Sequence, residues 1–176
     1  LLALGGLCSA HRHPALHVGW DAGALDMGFE LASLLEAPLV AAGYSRLGID
    51  CNRWPGGEGS TPEVSDGTRI PGNQGLTKEQ VDARADACFW PYHREVDRQP
   101  DRMTAGGRKI ALLAMHSFTP EMNGFQRPWH VGALWYDDPR LPEPQLAQSG
   151  RDSQLGGGHT PPPPAPAPSD RPAPPP

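Results

Sequence analysis

Four short stretches carry side chains able to bind an anion, hold a metal ion or move a proton. "DCNR", residues 50–53, closes the segment "RLGID" and groups a carboxylate, a thiol, an amide and a guanidinium. Arg53 offers a planar fork that takes a carboxylate through two parallel hydrogen bonds, and Asn52 adds an amide donor. Asp50 can orient Arg53 or close the turn, and Arg46 supplies a second cation just upstream; a surface ion pair in an ordinary loop would use the same residues. His116 stands directly after the apolar run "IALLAM", where an open α/β sheet delivers residues to its ligand crevice. An imidazole there can coordinate a metal or shuttle a proton, or simply satisfy a strand end. In "HVGWDAGA", His17 and Asp21 are spaced four apart, one face of a helix, and both are candidates as metal ligands or as supports for one. Asp21 is equally placed to cap the helix that follows. His130, in "PWHVG" beside Trp129, opens a further expected strand and is open to a pocket role, whereas Trp129 reads as cover for a core edge.

Helices and strands must position these groups. Leu25, Phe29, Ala32 and Leu35 recur at helical spacing within 21–36, and Pro38 ends that run. "PLVAA" reads as a buried strand and "RLGID" as a second short one. Residues 54–76 hold the turn signals "PGGEGS", "SDG" and "PGN" and read as a long loop. Thr77 with Gln80 forms a capping-box pattern for a helix whose inner face is Val81, Ala85, Cys88, Tyr92 and Val96. Pro91 interrupts it and predicts a kink or local break. "IALLAMHSF" reads as a strand buried on both faces, and "HVGALWY" from His130 as another. Strands alternating with helices indicate an α/β domain with a largely parallel sheet.

The 176 residues suffice for one domain with a core. A balance of 15 basic against 20 acidic side chains, with no basic stripe, argues against nucleic acid as a partner. Cys8, Cys51 and Cys88 are an odd set without paired spacing, which indicates free thiols, a reducing compartment and a cytoplasmic protein. The apolar opening "LLALGGLCSA" is too short to span a bilayer and lacks the basic residues of a secretory signal. Because the chain opens on Leu1, the expectation is of a start further upstream. Ten of the 22 prolines lie between Pro161 and Pro176. Residues 1–146 therefore read as the folded domain and 147–176 as a disordered Pro-rich tail, with polyproline II character that an SH3- or WW-like aromatic groove would accept.

"HVGWDAGA", "APLV", "YSRLGIDCNR", "PEVSDGTRIPGN", "PYH", "HSFTP" and "RPWHVGALWYDDPRL" occur in this order over residues 16–141. Together they resemble the N-formylglutamate amidohydrolase family. The resemblance implies a three-layer αβα fold with a mostly parallel sheet, like that of the zinc carboxypeptidases and aspartoacylases. It implies zinc as cofactor and a small-molecule substrate, N-formyl-L-glutamate or a related N-acyl acidic amino acid, cleaved to formate and glutamate. By similarity Asn52 and Arg53, with Arg46 nearby, hold the substrate carboxylate, and His116 looks like a zinc ligand. Asp21 would be a second ligand or the support of one, with His17 and His130 at the pocket. Zinc would lower the pKa of bound water to about 7 and polarise the formyl carbonyl, while a carboxylate base moves the proton.

Two family features have no counterpart here: an early "HASN"-like segment with a first histidine, and a late "EIRND"-like string with the general base. The resemblance therefore implies a fold truncated at both ends, as by a frameshift after Leu141, and impaired activity in this polypeptide. The alternatives are a deacylase for another N-acyl acidic amino acid, or an inactive carboxylate-binding or tail-presenting protein.

Overall fold

A computed structural model describes residues 2–4, 19–104, 107, 109–122, 124–128, 130–133 and 157–159. The chain divides into two units, Leu1–Thr119 and Pro120–Pro176.

In the first unit a parallel sheet of order β2–β1–β5 is built from β1 (Leu2–Leu4), β2 (Leu39–Ala41) and β5 (Leu113–Met115). Leu2 pairs with Leu39 on one side and Leu113 on the other. Three parallel strands need crossover connections, which carry α1 (Ala24–Leu34), α2 (Lys78–Arg84) and α3 (Trp90–Thr104). Helix α1 packs on β1 and β2, and α3 reaches β2. The mixed α/β class is as expected.

Helix α1 occupies its expected place with a rotated inner face. Ala24 and Gly28 are buried, Leu25 and Leu31 half-buried, whereas Phe29 is 59% exposed and Leu35 56%. The physical reason is size: two small residues at i and i+4 let the helix approach closely, and bulky Phe29 is left outside. Asp21 is not the cap of this helix. Gly23 takes that position at φ 75°, a left-handed conformation that costs glycine little.

Two strand expectations are corrected. "RLGID" is a succession of turns, with Gly48 N–H donating to the Ser45 carbonyl at 2.9 Å. Of "IALLAMHSF" only Leu113–Met115 is strand, and it lies at an edge of the described sheet. Ala114 is exposed and Leu112 is 55% exposed, so the run is apolar without being buried on both faces.

The 54–76 loop is well built. Its "SDG" signal makes a hairpin of β3 (Val64–Ser65) and β4 (Thr68–Arg69). Asp66 and Gly67 both take positive φ, 45° and 72°, as a type I′ turn requires. Pro71–Asn73 forms a 3₁₀ turn. The capping box is present as expected: Gln80 N–H donates to Thr77 Oγ1 and Thr77 N–H to Gln80 Oε1. Pro91 is accommodated by a π-helical turn over Ala85–Phe89, after which α3 continues. A widened turn shifts the hydrogen-bond ladder just ahead of the residue that lacks a donor.

The core gathers Ala42, Ile49, Cys51, Ala85 and Phe89, flanked by Trp54, Cys88, Trp90 and Tyr92. Phe89 meets Trp54 and Trp90 edge to face, at centroid distances of 5.8 and 4.9 Å, the arrangement that ring quadrupoles favour.

The second unit contains two antiparallel two-residue strands, β6 (Glu121–Met122) and β7 (Phe125–Gln126). It also has β8 (Val131–Ala133) beside β9 (Gly157–His159) in parallel. Within the segment expected to be a disordered tail, Gly157–His159 is thus paired as a strand; the rest of 147–176 lies outside the described residues. The strand expected from His130 is observed over Val131–Ala133, and residues 134–136 of it lie outside the described residues.

Candidate functional site

The carboxyl end of β5 delivers His116 to Asp21. His116 Nδ1 lies 2.7 Å from Asp21 Oδ2, across 95 residues of sequence. An ionised carboxylate has no proton to give, so Nδ1 donates and, in the neutral ring, Nε2 keeps its lone pair. Asp21 is buried, at 4% exposure. Gly23 turns the chain into α1 right after it, and Ser45 Oγ donates to the Gly19 carbonyl at 2.7 Å, which ties this segment to the 45–50 turns.

Those turns carry the second half of the site. Arg46 Nη2 donates to Asp50 Oδ2 at 3.0 Å, and Arg46 Nη1 is 3.8 Å from Asp21 Oδ1. Asp50, also buried, accepts the Asn52 N–H on Oδ1 at 2.8 Å. Its own N–H donates to the Ser60 carbonyl at 2.8 Å, and its carbonyl accepts from Arg53 N–H at 3.0 Å. Asp50 thus closes the turn and does not hold the Arg53 guanidinium. The side chains of Asn52 and Arg53 are exposed and make no hydrogen bond or ion pair among the described residues.

Further contacts hold the corner from behind. His93 Nε2 lies 2.9 Å from the Cys51 carbonyl oxygen, with its ring 4.2 Å from Phe89. Asn73 donates to the Leu47 and Pro62 carbonyls, both at 2.8 Å, and Arg84 donates to Asn73 Oδ1 and to the Gly48 and Gly72 carbonyls. Burial, and then the Asp50 charge, push the Cys51 thiol up to about 11, so it is neutral and structural.

Of the residues singled out in the sequence, the first unit brings His116, Asp21, Arg46, Asn52 and Arg53 into one chain of contacts. His130 is exposed at the start of β8 in the second unit. His17 lies outside the described residues. Asp50 as the anchor of Arg46 is signalled by the opposite charges four apart; His93 and Asn73 stand within the family strings "PYH" and "PEVSDGTRIPGN", but their roles and that of Arg84 are not legible there, because each binds backbone carbonyls distant in sequence.

A family model for N-formylglutamate amidohydrolase matches residues 4–157. The chain belongs to the N-formylglutamate amidohydrolase family. No curated protein matches it. Among solved structures it is similar to gene product Atu2144 from Agrobacterium tumefaciens, with a TM-score of 0.83 and 30% identity over 90% of this chain and 67% of that one. Membership in this family suggests amidohydrolase activity. None of the helices in the described residues is long and apolar enough to cross a membrane.

The donor chemistry fits one supported metal ligand. A histidine whose Nδ1–H is held by a buried carboxylate, leaving Nε2 for the ion, is the common arrangement behind a bound zinc. Both Asp21 oxygens face protein partners, His116 and Arg46, an arrangement that suits a support for a metal histidine better than a ligand. Among the described residues no group of three or more His, Cys, Asp or Glu converges as a complete set.

Proposed function

We propose that the chain is a zinc-dependent amidohydrolase module for N-formyl-L-glutamate or a closely related N-acyl acidic amino acid, within an αβα sandwich of the carboxypeptidase type. The observation that carries this reading is the continuous link from His116 through Asp21, Arg46 and Asp50 to the Asn52–Arg53 corner. It joins an imidazole prepared for a metal to two exposed donors suited to a carboxylate. Arg53 binds that carboxylate in two-point fashion and Asn52 orients it. Asp21 holds the His116 ring against rotation and fixes its tautomer. Zinc held at Nε2 would supply Lewis-acid polarisation of the formyl carbonyl and an acidified water.

The test pairs binding with turnover. Calorimetry should show N-formyl-L-glutamate binding, weakened about 100-fold by Arg53→Leu, since one truncated charge-assisted contact costs about 2–5 kcal/mol. With zinc supplied, formate release should be slow and should favour N-formyl-L-glutamate over N-formyl-L-leucine. Equal handling of the two compounds, or undiminished binding by the variant, overturns the reading.

A further inference from the structure

We propose that Arg46 is a positioning residue that locks the His116 imidazole and the Asn52–Arg53 corner into one register, and that it is not a substrate contact. Its kinetic consequence rests on the amidohydrolase reading above; its structural consequence does not. Asp21 and Asp50 are both buried, at 4% exposure each, and each divides its two oxygens in the same way. Asp21 gives Oδ2 to His116 and turns Oδ1 to Arg46; Asp50 gives Oδ1 to the Asn52 N–H and Oδ2 to Arg46. Among the described residues, Arg46 is therefore the one group that faces the outer oxygen of both. Two buried carboxylates brought to one place repel strongly, and a buried carboxylate without a counter-charge is costly. The guanidinium between them removes both penalties. Only a planar fork with separate Nη1 and Nη2 can address two carboxylates from fixed directions; the lysine ammonium is a single point charge. With Arg46 in place, a shift of the corner carries Asp50, Arg46, Asp21 and the ring of His116 along with it.

The test reads the His116 ring directly. In ring-nitrogen proton–nitrogen correlation spectra of the metal-free chain at one fixed pH, the wild type should show one His116 tautomer, with the proton on Nδ1. Arg46→Met should convert this to a mixture of both tautomers, and Arg46→Lys should restore it in part. Asp50→Asn touches neither His116 nor Asp21, yet it should shift the same signals in the same direction through Arg46; it also keeps the test decisive if Arg46→Met fails to fold. A His116 spectrum unchanged in folded Arg46→Met, or in Asp50→Asn, overturns the proposal. In turnover, Arg46→Met should lower kcat/KM about 100-fold and Arg46→Lys about tenfold, as outer partners of a metal histidine do, with kcat falling. A rise in KM alone would mark Arg46 as a substrate contact and overturn the proposal. A locked wild-type tautomer without any formate release would sink the functional reading and leave the bridge standing.

Discussion

The corner formed by residues 45–60 and helix α1 are built in opposite ways. The corner has no regular secondary structure, yet Ile49, Asp50, Cys51 and Ser60 are all buried in it. Its backbone is held by Asp50 from within and by Asn73, Arg84 and His93 from three other segments. Helix α1 is regular over eleven residues but buries only Ala24 and Gly28, and Leu34 stands 77% exposed. Regularity and rigidity are thus separate properties here. A helix satisfies its own backbone and needs neighbours only for its apolar side. An irregular segment must find every buried hydrogen-bond partner elsewhere, and once found, those partners fix it.

The comparison breaks most sharply at Phe89, the large ring beneath the corner. Phe89→Ala should destabilise the fold by about 4 kcal/mol, within the range for emptying a buried aromatic site. Urea denaturation measures it, and a loss below about 1 kcal/mol would mean the corner does not rest on this core.

Alkaline pH offers a gentler probe of the same region. Burial, then the Asp50 charge, raises Cys51 from 9.0 to about 11, and burial, then Cys51, raises Tyr92 from 10.0 to about 12. Above pH 9 the unfolded chain loses these protons before the folded one does, so stability falls as pH rises. The stabilisation is complete below the unfolded pKa values and disappears as pH climbs through the folded ones. Urea midpoints between pH 8 and 11 should decline, and Cys51→Ala should flatten the decline.

The smallest effect belongs to the outer side of α1. Leu34→Lys should change stability by no more than about 0.5 kcal/mol, as for exposed positions generally. A loss of several times that would show that the exposed side of α1 is covered in solution, and the contrast would dissolve.

Much of the local architecture was legible in the sequence. The Thr77–Gln80 capping box and the Asp66–Gly67 turn depend on residues within a few positions of each other, and both occur as expected. The family was legible from motif strings. The expected α1 stripe is inward only at Leu25 and Ala32 and outward at Phe29 and Leu35, because Leu25–Phe29–Ala32–Leu35 and Ala24–Gly28–Leu31 are both helical stripes. Periodicity records that a stripe exists, and the available space decides which one goes inward. "RLGID" is not a strand: Ile49 is drawn into the core from a turn, and among the described residues the segment has no strand partner.

Residue order alone determined which chemical groups this protein owns, where its short-range turns and caps fall, and to which family it belongs. Tertiary structure alone decided that Asp21 serves His116 instead of capping α1, and that Arg46 spans two buried carboxylates. The reason is distance along the chain: a cap is chosen among neighbours within one helical turn, whereas a hydrogen bond across 95 residues exists only once the sheet has brought β5 beside β1.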